Sequence, residues 1–185
     1  MSKSGVMEAI ISASAGHKES CAEDQTAQET YLNTRPGLVT CAGIPLLSLL
    51  SWIEIEVDRV VPLPAGKPLA RRAAVERFRK TLSLLCYAYS TGLSRSMDVA
   101  AASGRNPSLR ARTGDTVPFP HELKAFRRQH RRLLEVLLTR LFMRAMIAGR
   151  AGLDGALPPD LRSHCASQAS AILNLARHLD TCDDC

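Results

Sequence analysis

Four residues near the end of the chain, Cys165, His178, Cys182 and Cys185, are of the types that ligate transition metals. On a helix, His178 and Cys182 would share one face, and Cys182-x-x-Cys185 has ligand spacing. A tetrahedral zinc site is therefore geometrically open. A single C-x-x-C is also what ordinary thiols give, and the neighbouring Asp183 and Asp184 oppose thiolate formation and redox use. We read these residues as ordinary tail thiols, and no pattern in the sequence asks for a metal or any other cofactor. The remaining cysteines, Cys21, Cys41 and Cys86, follow no disulfide framework, so thiols in a reducing compartment are expected.

Nucleophilic and acid–base catalysis fare no better. His17, His121, His130, His164 and His178 have no nucleophile motif beside them, and no glycine-rich phosphate loop occurs. His130 lies on the apolar side of its helix and reads as a packing residue. Tyr87 and Tyr89 read as core and boundary aromatics rather than a base-stacking platform.

Charge is the stronger signal. The net charge of +6 hides a segregation. Residues 1–57 hold three Lys/Arg against seven Asp/Glu, and residues 151–185 hold two against five. Residues 58–150 hold nineteen against six, a surplus of thirteen positive charges between two acidic ends. Such a block suits a polyanion, with nucleic acid the leading partner and an acidic membrane surface or acidic protein behind it. No stretch is long and apolar enough to span a bilayer, and a cytoplasmic protein is expected.

The elements that must carry this charge are helical. Aromatic residues number only eight, and Leu, Ala and Arg dominate. The first 43 residues lack a sustained period and are expected to be a flexible acidic arm. Residues 44–61, IPLLSLLSWIEIEVDRVV, place Leu46, Leu47, Leu49, Leu50, Ile53, Val57 and Val60 on one helical face, although IEIEV alone alternates like a strand. PLPAGKP breaks that helix.

Pro68 opens a second helix running to about Thr91, with Val75, Phe78, Leu82, Leu85 and Tyr89 as its apolar stripe and Arg71, Arg72, Arg79 and Lys80 off it. Gly92 closes it, and Ser94 is the expected cap of a short third helix. Asn106 and Pro107 announce a single helical turn. Pro120 then starts the strongest helix, continuous to Gly149. Its buried side is Leu123, Phe126, His130, Leu133, Leu134, Leu137, Leu138, Leu141 and Met146, and Lys124, Arg127, Arg128, Arg131 and Arg132 load its first half. RAGLDGALPP is a linker, and Pro159 starts a last helix.

The expected fold is thus all-α: a small helical bundle with a helix-turn-helix-like unit and one long basic amphipathic helix. Two short helices followed by a basic third make a workable DNA reader, because a helix fits the major groove and Arg side chains reach phosphates and guanine edges.

Several stretches taken in order resemble one family. LLCYAYSTGLSRSMDVAAAS, VPFPHELKAFRRQHRRLLEVLLTRLF and AGR together look like the N-terminal helical domain of bacterial insertion-sequence transposases of the DDE type. The matching residues are Tyr87, Ala88, Tyr89, Thr91 and Gly92, then Ser94, Arg95 and Ser96, then Pro118, Leu123, Phe126, Arg127, Arg128 and His130. The resemblance covers about residues 68–150 and implies a domain that binds the DNA ends of such an element.

The family continues into a ribonuclease H-like domain whose three carboxylates hold metal for strand cleavage. LDG at Leu153 to Gly155 resembles its first catalytic Asp-Gly, but it comes early and lacks a strand to carry it, so Asp154 reads as a linker residue.

The expectation is a DNA-binding fragment without strand-cleavage activity: an acidic arm over residues 1–43, a DNA-binding helical domain over 44–150, and a linker with a C-terminal helix over 151–185. Arg95, Lys124, Arg127, Arg128, Arg131 and Arg132 are the candidate DNA contacts. The alternative is a non-catalytic interaction module in which a Leu137, Leu138, Leu141 and Phe142 surface pairs with another copy or with a full-length transposase, or a decayed remnant with no selected function.

Overall fold

A computed structural model describes Cys41 and residues 44–64, 68–106, 109–110, 117–150 and 158–182. Among these residues the secondary structure is helical: α1 (Leu46–Val60), α2 (Leu69–Ser90), α3 (Ser96–Arg105), α4 (Pro120–Gln129), α5 (Arg131–Arg150) and α6 (Leu161–Cys182). They belong to one compact unit spanning Val39–Cys185. Of the expected acidic arm only Cys41 is among the described residues, and it is buried, its N–H donating to Ser90 O at 2.8 Å; Asp154 lies outside the described residues.

The core follows the leucine periodicity. Leu134, Leu137, Leu138, Leu141 and Phe142 of α5 are each at most 1% exposed. They meet α1 and α2, and above all α6, whose Cys165, Ala169, Ile172, Leu173 and Ala176 are buried at matching helical spacing. Full burial of such a side chain contributes roughly 1.5–3 kcal/mol, so the α5–α6 contact is a principal source of stability. The C-terminal helix is accordingly an integral layer of the unit. It also removes the surface on which pairing through Leu137, Leu138, Leu141 and Phe142 depended, because those side chains are interior.

In α1 the IEIEV stretch is helical, with Leu49, Leu50, Ile53 and Val57 inward, whereas Leu46 and Leu47 in its first turn are exposed and do not join that face. Pro68 precedes α2 as its N-cap residue. At the other end Gly92 has φ 90°, the left-handed conformation expected of it. The Gly92 N–H donates to Tyr89 O at 3.3 Å and the Leu93 N–H to Ala88 O at 2.8 Å, the paired bonds of a Schellman closure.

Two local expectations are corrected. The basic helix is not continuous. It turns at His130 (φ −115°, ψ 24°), where neither proline nor glycine stands. The imidazole packs edge-on against Phe78 at 4.8 Å and against Phe126 at 4.6 Å, and the change of direction lets α4 lie on α3 while α5 lies on α1, α2 and α6. Periodicity could not report this, because the stripe runs through the turn without losing phase.

Ser94 does not cap α3 either. It is buried one residue before the N-cap position, which Arg95 occupies, α3 starts at Ser96, and the cap comes from elsewhere in the chain. At α4 the Glu122 carboxylate accepts the Phe119 N–H at 2.9 Å, half of a capping box. Asn106 Oδ1 accepts the Leu109 N–H at 3.4 Å, so the expected cap is in place, although most of the turn that it begins lies outside the described residues.

Candidate nucleic-acid interface

The start of α3 carries backbone N–H groups that no residue on its own helix satisfies. Asp180, on the last turn of α6, supplies the acceptor. Its Oδ1 accepts the Ser96 N–H at 3.0 Å and its Oδ2 accepts the Ser96 hydroxyl at 2.8 Å. A carboxylate at a helix N-terminus also complements the helix dipole.

The same carboxylate is ion-paired to Arg127 of α4, with both side chains 5% exposed. The remaining guanidinium edge of Arg127 is engaged too, Nη1 donating to the Tyr89 hydroxyl at 3.0 Å. Lys124, one turn earlier on α4, donates from Nζ to the Asp180 carbonyl at 3.1 Å, a cation at the C-terminal end of α6. Three helices and the end of α2 therefore converge on one aspartate. Burying a charge of either sign is costly unless it is paired and hydrogen-bonded, and here both conditions hold. Burial raises the Tyr89 hydroxyl above its ordinary value, with the Arg127 charge and hydrogen bond pulling the other way.

This node distributes the candidate contact residues unequally. Arg127 is 4% exposed and spent on Asp180 and Tyr89, so its guanidinium is not presented to a ligand. It leaves the set of surface contacts. Helical spacing itself places Arg127 with the core, four residues after the buried Leu123 and seven before the buried Leu134, although its arginine neighbours read as surface. Arg95 is half-buried beside Ser96, and Lys124 is half-buried at the node. Arg131 is half-buried, its Nη2 donating to Asn174 Oδ1 of α6 at 2.8 Å. Arg128 and Arg132 are exposed. The structure thus gathers Arg95, Lys124, Arg127 and Arg131 around the C-terminal half of α6, with Arg128 and Arg132 facing solvent on the adjoining turns of α4 and α5.

The exposed face of α3, Met97, Ala101 and Arg105, carries a single cation. Exposed positive charge lies instead on the first half of α2, at Arg71, Arg72, Arg77 and Lys80, and on Arg128 and Arg132 of α4 and α5. A surface of this kind suits phosphate contact more than base-edge readout.

Sequence reading missed Asp180 and Ser96. A signal was present: Ala169, Ile172, Leu173 and Ala176 set a core register whose next place is position 180, and an aspartate there requires a buried partner.

The residues of the geometrically open zinc site are not brought together among the described residues. Cys165 is buried against Met146, its Sγ 3.7 Å from the thioether. It stands thirteen residues before His178 on α6, about 20 Å along the axis at the helical rise. His178 and Cys182 do meet, Sγ to Nε2 4.0 Å, on the exposed side of the last turn. Cys185 lies outside the described residues, and among those described no group of three His, Cys, Asp or Glu residues could hold a metal ion.

The buried thiols are inert by environment. Desolvation pushes Cys86 up to about 12 and Cys41 up to about 11, and raises Cys165 as well. Among the described residues no helix is long and apolar enough to cross a membrane. The chain matches no protein-family model, no curated protein and no solved structure.

Proposed function

We propose that this protein is a DNA-binding helical module without strand-cleavage activity, similar in role to the N-terminal domain of an insertion-sequence transposase and cytoplasmic. The observation that carries the reading is the exposure of Arg128 and Arg132 on adjoining turns of α4 and α5, with the half-buried Lys124 and Arg131 next to them and Arg95 at the N-cap of α3. Arg127 acts from inside, holding α4 to α6 and so fixing the surface its neighbours present.

Long cationic side chains on a rigid helical support can follow a phosphate backbone, and the resemblance of residues 68–150 to a transposase domain favours DNA among the polyanions. Contact through phosphates predicts weak sequence preference for the isolated module and binding that weakens steeply with salt. Titration of a fluorescent DNA duplex at low ionic strength, read by anisotropy, tests it. Saturable binding that salt reverses is the expected result, and no affinity at low salt defeats the proposal.

A further inference from the structure

We propose that Phe119 and His121, at the start of α4, form a stacking site for an unpaired nucleobase at one end of the cationic face, an inference that rests on the DNA-binding reading. Of the four phenylalanines, Phe78 and Phe126 are half-buried and packed ring against ring, Phe142 is interior, and only Phe119 is exposed, at 62%. Its ring stacks on the imidazole of His121, itself exposed, with centroids 5.6 Å apart and planes 15° from parallel. Neither ring is drawn into the core, so the pair is a flat aromatic surface held in solvent.

Local bonding fixes the pair. Phe119 is the N-cap residue of α4, its N–H is held by the Glu122 carboxylate, and Pro120 sets the backbone that follows. Glu122, the acidic neighbour, is thereby engaged in the cap. His121, Ala125 and Arg128 are successively four and three residues apart and share one exposed face of α4. Arg128 lies about 10 Å along the helix axis from His121. The small side chain of Ala125 between them leaves room for a strand to lie close to the helix, and Arg132 is exposed on the turn beyond.

The two kinds of group on this face take different parts of a nucleotide. Guanidinium groups bind phosphate whatever the base. A phenyl ring gives a phosphate nothing, but it stacks on any base whose face is open. Inside a duplex those faces are covered by the neighbouring base pairs. The ligand that satisfies the rings and the guanidinium groups together is therefore single-stranded DNA, bound through its backbone at Arg128 and Arg132 and through one base at Phe119 and His121.

The test uses the full-length protein at low ionic strength with two fluorescent probes read by anisotropy, an oligothymidylate and a blunt duplex. The wild type should bind both. F119A should bind the oligothymidylate about tenfold more weakly and the duplex as before, and F119W, which keeps a stacking ring, should retain the single-strand affinity. F119W also adds an indole to the native Trp52, and its emission should be quenched by saturating oligothymidylate and not by the blunt duplex. The side chain is exposed, and thermal melts confirm that both variants are folded. Wild-type affinity of F119A for the oligothymidylate, an equal loss on both probes, or F119W emission unmoved by the oligothymidylate overturns this inference while duplex binding stands. Failure of the wild type to bind either probe defeats the DNA-binding reading and this inference with it.

Discussion

Asp180 Oδ1 accepts the backbone N–H of Ser96 at 3.0 Å across 84 residues of chain, so the first turn of α3 is capped by the last turn of α6. The contact ties the end of the sequence to the short helix in its middle. Through Arg127, the same aspartate also fixes the helix that carries the candidate DNA-contact residues.

Removing the aspartate should therefore cost far more than a surface ion pair. Asp180→Ala leaves Arg127 buried with its charge uncompensated, and a loss of about 3–5 kcal/mol is expected in urea denaturation. Ser96→Ala removes one hydroxyl donor and keeps the backbone bond, so about 1 kcal/mol is expected. The double variant R127M/D180L removes the uncompensated charge and should recover part of the loss, the Ser96 N–H and the Tyr89 hydroxyl having lost their partners. Equal stability of D180A and the wild type would show that the node contributes nothing.

The turn after α2 gives a second, local prediction. Gly92 stands at φ 90°, where a Cβ meets the following carbonyl. Gly92→Ala should lower stability by about 1–2 kcal/mol with little change in the slope of the denaturation curve. Substituting a non-glycine residue without penalty would mean that the Schellman closure does not govern the end of α2.

Much of the fold was legible before any coordinates, because helical periodicity and breakers act locally. Leu49, Ile53, Leu82, Leu85, Leu137 and Ile172 are buried as their spacing requires, and Gly92 does what a C-terminal glycine does. What the sequence hid are relationships between distant residues. An arginine beside other arginines looks like surface, and it is Asp180 and Tyr89 in the same place that satisfy Arg127 inside. Ser94 looked like the cap because it is near. The actual cap lies on another helix. The turn at His130 depends on Phe78, whose position relative to α4 is a tertiary fact.

Stability should also fall on the alkaline side. Burial raises Cys86 from 9.0 to about 12 and Cys41 from 9.0 to about 11, and raises Tyr89 in the same sense. These groups stay protonated in the folded protein while the unfolded chain begins to ionise near its ordinary values. Their contribution is whole below about pH 9 and is lost progressively as pH rises through about 11 for Cys41 and about 12 for Cys86. Denaturation midpoints at neutral pH and near the upper end of that window should differ, and Cys86→Ala should flatten the dependence. A slope that Cys86→Ala leaves unaltered would assign the alkaline loss to other groups.

The division of the arginines into interior and surface makes a further prediction. Arg127→Ala should unfold the protein more readily, whereas Arg128→Ala and Arg132→Ala should leave thermal stability within about 0.5 kcal/mol of the wild type. Thermal melts of the three single variants distinguish them, and comparable destabilisation by all three would contradict the assignment.

The most direct test of DNA binding through this surface is the salt dependence of the affinity for a DNA duplex, compared between the wild type and the R128A/R132A double variant. If Lys124, Arg128, Arg131 and Arg132 each neutralise a phosphate, log Kobs should fall with log salt at a slope of about −3 to −4. The double variant should be shallower by about 2 while remaining as stable as the wild type. A wild-type affinity that salt does not change, or a double variant whose slope equals that of the wild type, would contradict the account.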